Sequence, residues 1–261
     1  MGPQKKVGFE LQLGSNTSLQ TLRRKMSRDL GLERISVHED YSVDTNKLYE
    51  GEFVTPVWNY AEGIRNLRRM FKWMRKNDVI TNETTGLHVN ISYKNQDLNK
   101  AIDPSAVLLM TDDIKWLTYF NRMGGEYCDT PKAQISESIK VLARRRKTTI
   151  NDLKSYIYQR CIVELLECES VDESDLGPGH FFDKYFSINL LPLANKKPYI
   201  EYRFIGGVHY HCECMEKAVF DAIDHIAVTL DKSISNKYEA VKTKYVKNML
   251  SPAQKRRIKN K

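Results

Sequence analysis

Apolar and polar side chains alternate from Val7 to Leu13, which predicts a half-buried strand with Glu10 and Gln12 on one face. The period then changes. Leu19, Leu22, Met26 and Leu30 recur at helical spacing behind a cap at Ser18 and before a stop at Gly31. Ile35 and Val37 mark a second short strand, Tyr49 to Val57 a third, ended by Thr55 and Pro56, and Thr85 to Tyr93 a fourth. Between the last two, Asn59 to Lys76 reads as a basic amphipathic helix. Asp103 followed by Pro104 predicts a helix start, with one helix of about five turns running through Trp116 and Phe120 to a stop at Gly124 and Gly125. Ser136 to Glu167 reads as helix in two pieces, broken near Thr148 and Thr149. A loop follows from Ser170 to His180, and then β-rich stretches at Lys184 to Leu191 and Pro198 to Ile205 flank a turn at Ala194 to Lys197. Helices return from Cys214 to Leu250, and the chain ends in a basic tail expected to fray.

Strands early and late with helices between them predict an α+β fold with a mostly antiparallel sheet. The expected organisation is one catalytic domain over 1–250: sheet motifs about 6–95 and 183–207, a helical insertion about 96–178, and C-terminal helices about 213–250. Residues 251–261 form the basic tail. The 261 residues contain no apolar run near the roughly 20 that span a bilayer, and Met1 to Val7 does not resemble a signal peptide, so a soluble, cytoplasmic protein is expected. Five cysteines without a CxxC pair read as reduced thiols.

The net charge of +8 favours an anionic ligand, whether nucleic acid, nucleotide phosphates or an acidic surface. The strands supply a more specific signal. Glu10, Glu52, His88, Glu201 and Arg203 are polar residues in apolar strand contexts. Residues i and i+2 share a strand face, so Glu10 with Gln12, His88 with Asn90, and Glu201 with Arg203 each present a polar pair to one side. Carboxylates gathered on such a surface repel one another, and a cation relieves them; oxygen ligands with one imidazole suit Mg²⁺ or Mn²⁺ better than zinc.

These residues stand in ordered motifs. Gly8 to Gln12, Asp40 to Val43, Glu52 to Pro56, Gly86 to Asn90, Arg122 with Tyr127, Cys128 and Pro131, Tyr185 to Leu190 with Asn189, and Glu201 to Phe204 follow one another along the chain. Together they resemble the amidoligases of the carboxylate-amine ligase superfamily, relatives of glutamine synthetase and glutamate-cysteine ligase. The resemblance spans about 8 to 207, with Gln12 standing where the family has a second glutamate in the opening strand.

The resemblance implies a glutamine-synthetase-like catalytic fold with ATP and divalent metal on the concave face of a curved sheet. It also implies an amide or peptide-like bond made through an acyl phosphate. Glu10, Glu52, His88 and Glu201 would then hold metal, and Gln12, His88, Asn90 and Arg203 would meet the nucleotide. Glu52, Glu201 and Arg203 would carry catalysis. Asp40 and Arg122 would serve the substrate end, which takes small or peptide-like carboxylates and amines.

Two other readings compete with this one. The Arg144 to Lys147 run and the tail would let a basic module bind nucleic acid, although no RNA or helix-turn-helix motif accompanies them. A ligase fold that has lost catalysis is the other, suggested by Gln12. His209 to Cys214 carries zinc-type side chains, but no second cluster completes a structural zinc site.

Overall fold

The structure, a computed structural model, describes residues 4–94, 98–123, 130–145, 148–167, 186–194, 197–234 and 238–258. Gly124, Gly125, Tyr127, Cys128, Arg146, Lys147, the 170–180 loop and Tyr185, all singled out from the sequence, lie outside the described residues.

The opening alternation forms β1 (Lys5–Ser15), and Ser18 caps α1 (Leu19–Leu30) by accepting from the Thr21 amide. β2 (Ser36–Glu39), β3 (Tyr49–Val54) and the two-residue β4 (Trp58–Asn59) follow. The expected third strand is thus divided at Thr55 and Pro56, where Thr55 leaves β3 and bonds back to Phe9 through its amide and hydroxyl. Next come α2 (Tyr60–Met74) and β5 (Gly86–Tyr93). Near the C-terminal end, β6 (Ile188–Asn189) and β7 (Tyr199–Gly206) complete a seven-stranded sheet of order β2-β3-β1-β5-β7-β6, with β4 also paired to β1. Every pair in it is antiparallel, so the fold is α+β with an antiparallel open sheet.

The sheet has two unlike faces. Phe9, Leu11, Leu13, Phe53, Leu87, Val89, Ile91, Tyr202 and Phe204 are fully buried beneath helices, in one core with Leu67, Met70 and Phe71 of α2 and with Val219, Ile223 and Ile226 of α9 (Glu213–Ile234). The alternate positions carry the polar side chains. One strand face thus supplies the hydrophobic stabilisation that lets the other hold charge.

The helical segment departs from the single five-turn helix expected after Asp103. α3 (Leu98–Ala101) is followed by α4 (Pro104–Met110) and a separate α5 (Asp113–Tyr119). The break falls at Thr111 and Asp112, where Thr111 is extended and the Asp112 amide bonds to His225 Nε2 at 2.9 Å. α5 ends before the expected glycines, in a Schellman motif: Asn121 is left-handed at φ 52°, the Arg122 amide reaches the Leu117 carbonyl, and the Asn121 amide reaches that of Thr118.

α6 (Pro131–Leu142) and α7 (Ile150–Glu167) have the expected break between them. α8 (Leu191–Ala194) adds a helical turn between β6 and β7, so their connection is more than a simple hairpin turn. α10 (Tyr238–Met249) follows α9, and α11 (Pro252–Arg257) replaces the frayed tail. Ser251 forms a capping box with Gln254, and Arg257 ties α11 to the Ala143 and Arg144 carbonyls. Cys212 and Cys214 are joined in a disulfide, against the expectation of reduced thiols. No described helix is long and apolar enough to cross a membrane.

Candidate metal and substrate site

Strand register assembles the polar face. In antiparallel pairs, opposed residues share a side, and Glu10 opposes His88, Gln12 opposes Glu52, and Asn90 opposes Glu201. A bulge between β5 and β7 completes it: Leu87 opposes Ile205 while Val89 opposes Tyr202, so His88 alone faces Arg203 and Phe204. The extra residue turns β7 so that Glu201 and Arg203 point at His88.

The centre is the His88 imidazole, buried to 3% exposure. Its Nδ1 lies 3.2 Å from Glu10 Oε2 and 3.1 Å from Glu201 Oε1, so one ring nitrogen faces two carboxylates. Arg203 Nε faces His88 Nε2 at 3.4 Å and Glu201 Oε1 at 3.7 Å. The remaining carboxylate oxygens are held by amides: Asn90 donates to Glu10 at 2.7 Å, and Asn189 to Glu201 at 2.6 Å. Ligand atoms of Glu10, His88 and Glu201 all lie within 4.8 Å of one another, close enough to share one cation.

The protonation states follow from this crowding. Burial and the Arg203 guanidinium both disfavour an imidazolium at His88, but its bonds to Glu10 and Glu201 outweigh them and raise its pKa. Burial would raise the Glu201 pKa, yet His88, Arg203 and Asn189 draw it down to about 2. At Glu52 burial, followed by the negative charge of Glu10, pushes the carboxyl up to about 7, and the opposing pull of the His88 charge does not prevail. Tyr199, two residues before Glu201, is pushed up to about 12 by burial and by the charges of Glu201 and Glu10.

Next to this centre, Gln12 has both polar atoms engaged. Its Oε1 accepts the Gly86 amide at 2.7 Å and its Nε2 donates to Asp40 Oδ2 at 2.5 Å. Asp40 also accepts from the Ser42 hydroxyl at 2.6 Å and from its amide at 2.9 Å. Burial works against its ionisation, but these bonds hold its carboxyl below the usual range.

Arg122 is nine-tenths buried, and its Nη1 donates to the Thr85 carbonyl at 2.7 Å and to that of Ile205 at 3.5 Å. It lies over the facing pair Gly86 and Gly206. A Cβ on Gly206 would come within 2.0 Å of Nη1, and one on Gly86 would meet Nη1, Gln12 Oε1 and His88 Nε2 at 2.9 to 3.2 Å. Gly206 leaves no room for a Cβ, which would also meet the Thr85 carbonyl oxygen at 2.6 Å, whereas a Cβ on Gly86 would displace side-chain tips only.

All nine site residues expected from the sequence therefore lie on or against one sheet face. Gly206, Tyr199 and Tyr210 escaped the sequence reading. Tyr210 was hidden in the zinc-like run, yet its buried hydroxyl donates to the Gln12 carbonyl at 3.0 Å. In that same run, His211 bonds to Thr81, and burial followed by His209 lowers its pKa to about 4. A periodicity of two could have flagged Tyr199; nothing local marks Tyr210.

Residues 20–223, well over half of the chain, match the family model described as "putative amidoligase enzyme". The chain belongs to this amidoligase family, whose ligase-type function is the formation of an amide bond. No curated protein matches it.

Proposed function

We propose that this chain is an ATP- and Mg²⁺-dependent carboxylate-amine ligase with a glutamine-synthetase-like site. The reading rests above all on the Glu10, His88 and Glu201 cluster, whose ligand atoms converge beside Arg203. The donor set fits a hard cation: two carboxylates, one imidazole, and the Asn90 Oδ1, a buried oxygen without a hydrogen-bond partner among the described residues. Bound Mg²⁺ or Mn²⁺ would supply charge neutralisation to the phosphates of ATP.

A carboxylate does not condense with an amine at neutral pH because oxide is a poor leaving group. Transfer of the γ-phosphoryl group makes an acyl phosphate and ADP; attack by the amine then forms the C–N bond, expels inorganic phosphate and releases a proton. In this reading Arg203 steadies the charge of the transferred group. Asp40, kept ionised by Ser42 and Gln12, accepts hydrogen bonds from the incoming ammonium. Glu52 takes the proton that the nitrogen loses, since a carboxyl near pH 7 can accept it and release it again. Arg122 is a positioning residue that fixes the Thr85 and Ile205 carbonyls and keeps positive charge over the glycine pair.

Incubation with ATP and Mg²⁺ across pools of carboxylates and amines should release ADP and phosphate. Glu201→Ala and Arg203→Ala should each lower turnover by at least about 100-fold, the scale of a lost charge-stabilising contact. Formation of AMP and pyrophosphate would overturn the acyl-phosphate route, and wild-type turnover in either variant would overturn the site.

A further inference from the structure

Beside Asp40, the chain leaves a cavity of about 640 Å³ between the start of α1, the end of β2 and the start of β3. Its volume falls within the range of small-molecule sites, about 300 to 1,000 Å³. Ser18, Glu39, Asp40, Tyr41, Leu48 and Tyr49 are among its lining residues.

Three features of this wall point the same way. First, no lysine or arginine is among the described lining residues, in a chain whose net charge is +8. Second, the wall is apolar and aromatic where it meets solvent: Tyr41 is 95% exposed, Leu48 78% and Tyr49 44%. Third, its acidic groups differ in how far they are already satisfied. The Glu50 carboxylate is taken up by Thr45 and the Lys47 amide. Asp40 belongs to the site through Gln12. Glu39 is exposed, and among the described residues it receives only a long bond from the Tyr41 hydroxyl, at 3.3 Å.

We propose that this cavity holds the amine substrate and selects an aliphatic diamine. The proposal rests on the ligase reading and adds the substrate class to it. Asp40 suffices for the reacting nitrogen, which must arrive beside the site and shed its charge before it attacks. Glu39 is then left for a second ammonium, with the Tyr41 and Tyr49 rings offering cation–π contact and Leu48 covering the methylene chain. A carboxylate-ended amine of equal length meets the repulsion of Glu39 instead.

The test needs neither ATP nor metal. Titrate 1,5-diaminopentane, pentylamine and 5-aminopentanoate calorimetrically into the full chain, with EDTA present and at low salt. The diamine should bind about tenfold tighter than pentylamine, the scale of one screened ion pair, and 5-aminopentanoate should bind weakest. Glu39→Gln should erase the preference of the diamine over pentylamine while leaving pentylamine itself unchanged.

Equal affinities for the three, no binding by any of them, or a diamine preference that survives Glu39→Gln would each overturn the proposal. Because ATP is absent, such a result bears on the cavity alone. A failure to form ADP with any carboxylate and amine bears on the ligase reading alone.

Discussion

Two regions of this molecule bury carboxylates, and they neutralise them in opposite ways. Among the helices, Asp103 receives the Lys242 ammonium at 2.7 Å, the Ser105 hydroxyl and the Ala106 amide. Asp113 takes hydroxyl bonds from Thr130 at 2.6 Å and Ser187 at 2.9 Å, together with the Ile114 amide. Each acid there has its own donors, contributed by several elements, although burial still raises the Asp113 carboxyl above its usual range against the bonds from Thr130 and Ser187. On the sheet face Glu10, Glu52, Glu201 and Asp40 are crowded together, and burial, followed by the charge of Glu10, pushes Glu52 up to about 7. Burial with matched partners marks a structural role; burial with a charge deficit marks a place built for something that arrives later.

The largest expected effect breaks the matched region. Lys242 and Asp103 are both about 4% exposed, so Lys242→Met strands a charge in the core. Urea denaturation should show a loss of about 3 kcal/mol or more. Glu10→Gln, measured in the same way without metal, should cost less than about 1 kcal/mol because it relieves repulsion. A neutral Lys242→Met would erase the distinction between the two regions.

Cation binding should sharpen the same contrast. At a Mn²⁺ concentration of about 100 times its dissociation constant, linkage predicts about 2.7 kcal/mol of added stability in the wild type. Glu201→Gln and His88→Ala should lose most of that increment, whereas Lys242→Met, although less stable, should keep it. Melts with Mn²⁺ and with EDTA read this directly, and an equal increment in all four proteins would place the ion elsewhere.

The smallest effect is on pH dependence. Glu52 binds its proton more tightly folded than unfolded, so the folded state is favoured at low pH. That stability is lost as pH rises from the ordinary value of 4.5 to about 7. The full shift corresponds to about 3 kcal/mol, and screening of a carboxyl this accessible to solvent reduces it to about 1 to 2 kcal/mol. In EDTA, Glu52→Gln should therefore match the wild type at low pH and exceed its stability at pH 8. Parallel stability curves across that range would show that Glu52 does not carry the charge deficit.

Much of this was legible in the residues. Periodicity located β1, α1, α2, β5 and the β6–β7 region, because alternation and the 3.6-residue repeat record which face of each element is buried. The polar members of those strands, from Glu10 to Arg203, stood out because charge in an apolar strand needs a reason. Breaks and ends set by distant partners were not legible. Asp112 interrupts α4 and α5 by bonding to His225, and Ser251 starts a helix anchored on the 140–144 segment rather than a loose tail.

The chain by itself determined which residues could form a metal and substrate site and which face of each strand they would share, since both follow from local spacing. Only the tertiary structure decided how they divide the work. The β5–β7 bulge aims Glu201 and Arg203 at His88. Gly206 admits Arg122. Gln12, the departure from the family pattern, gives its oxygen to Gly86 and its nitrogen to Asp40. Each of these joins residues dozens of positions apart. The free energy of such a contact depends on register and close packing across the sheet, which a pattern along one strand does not contain.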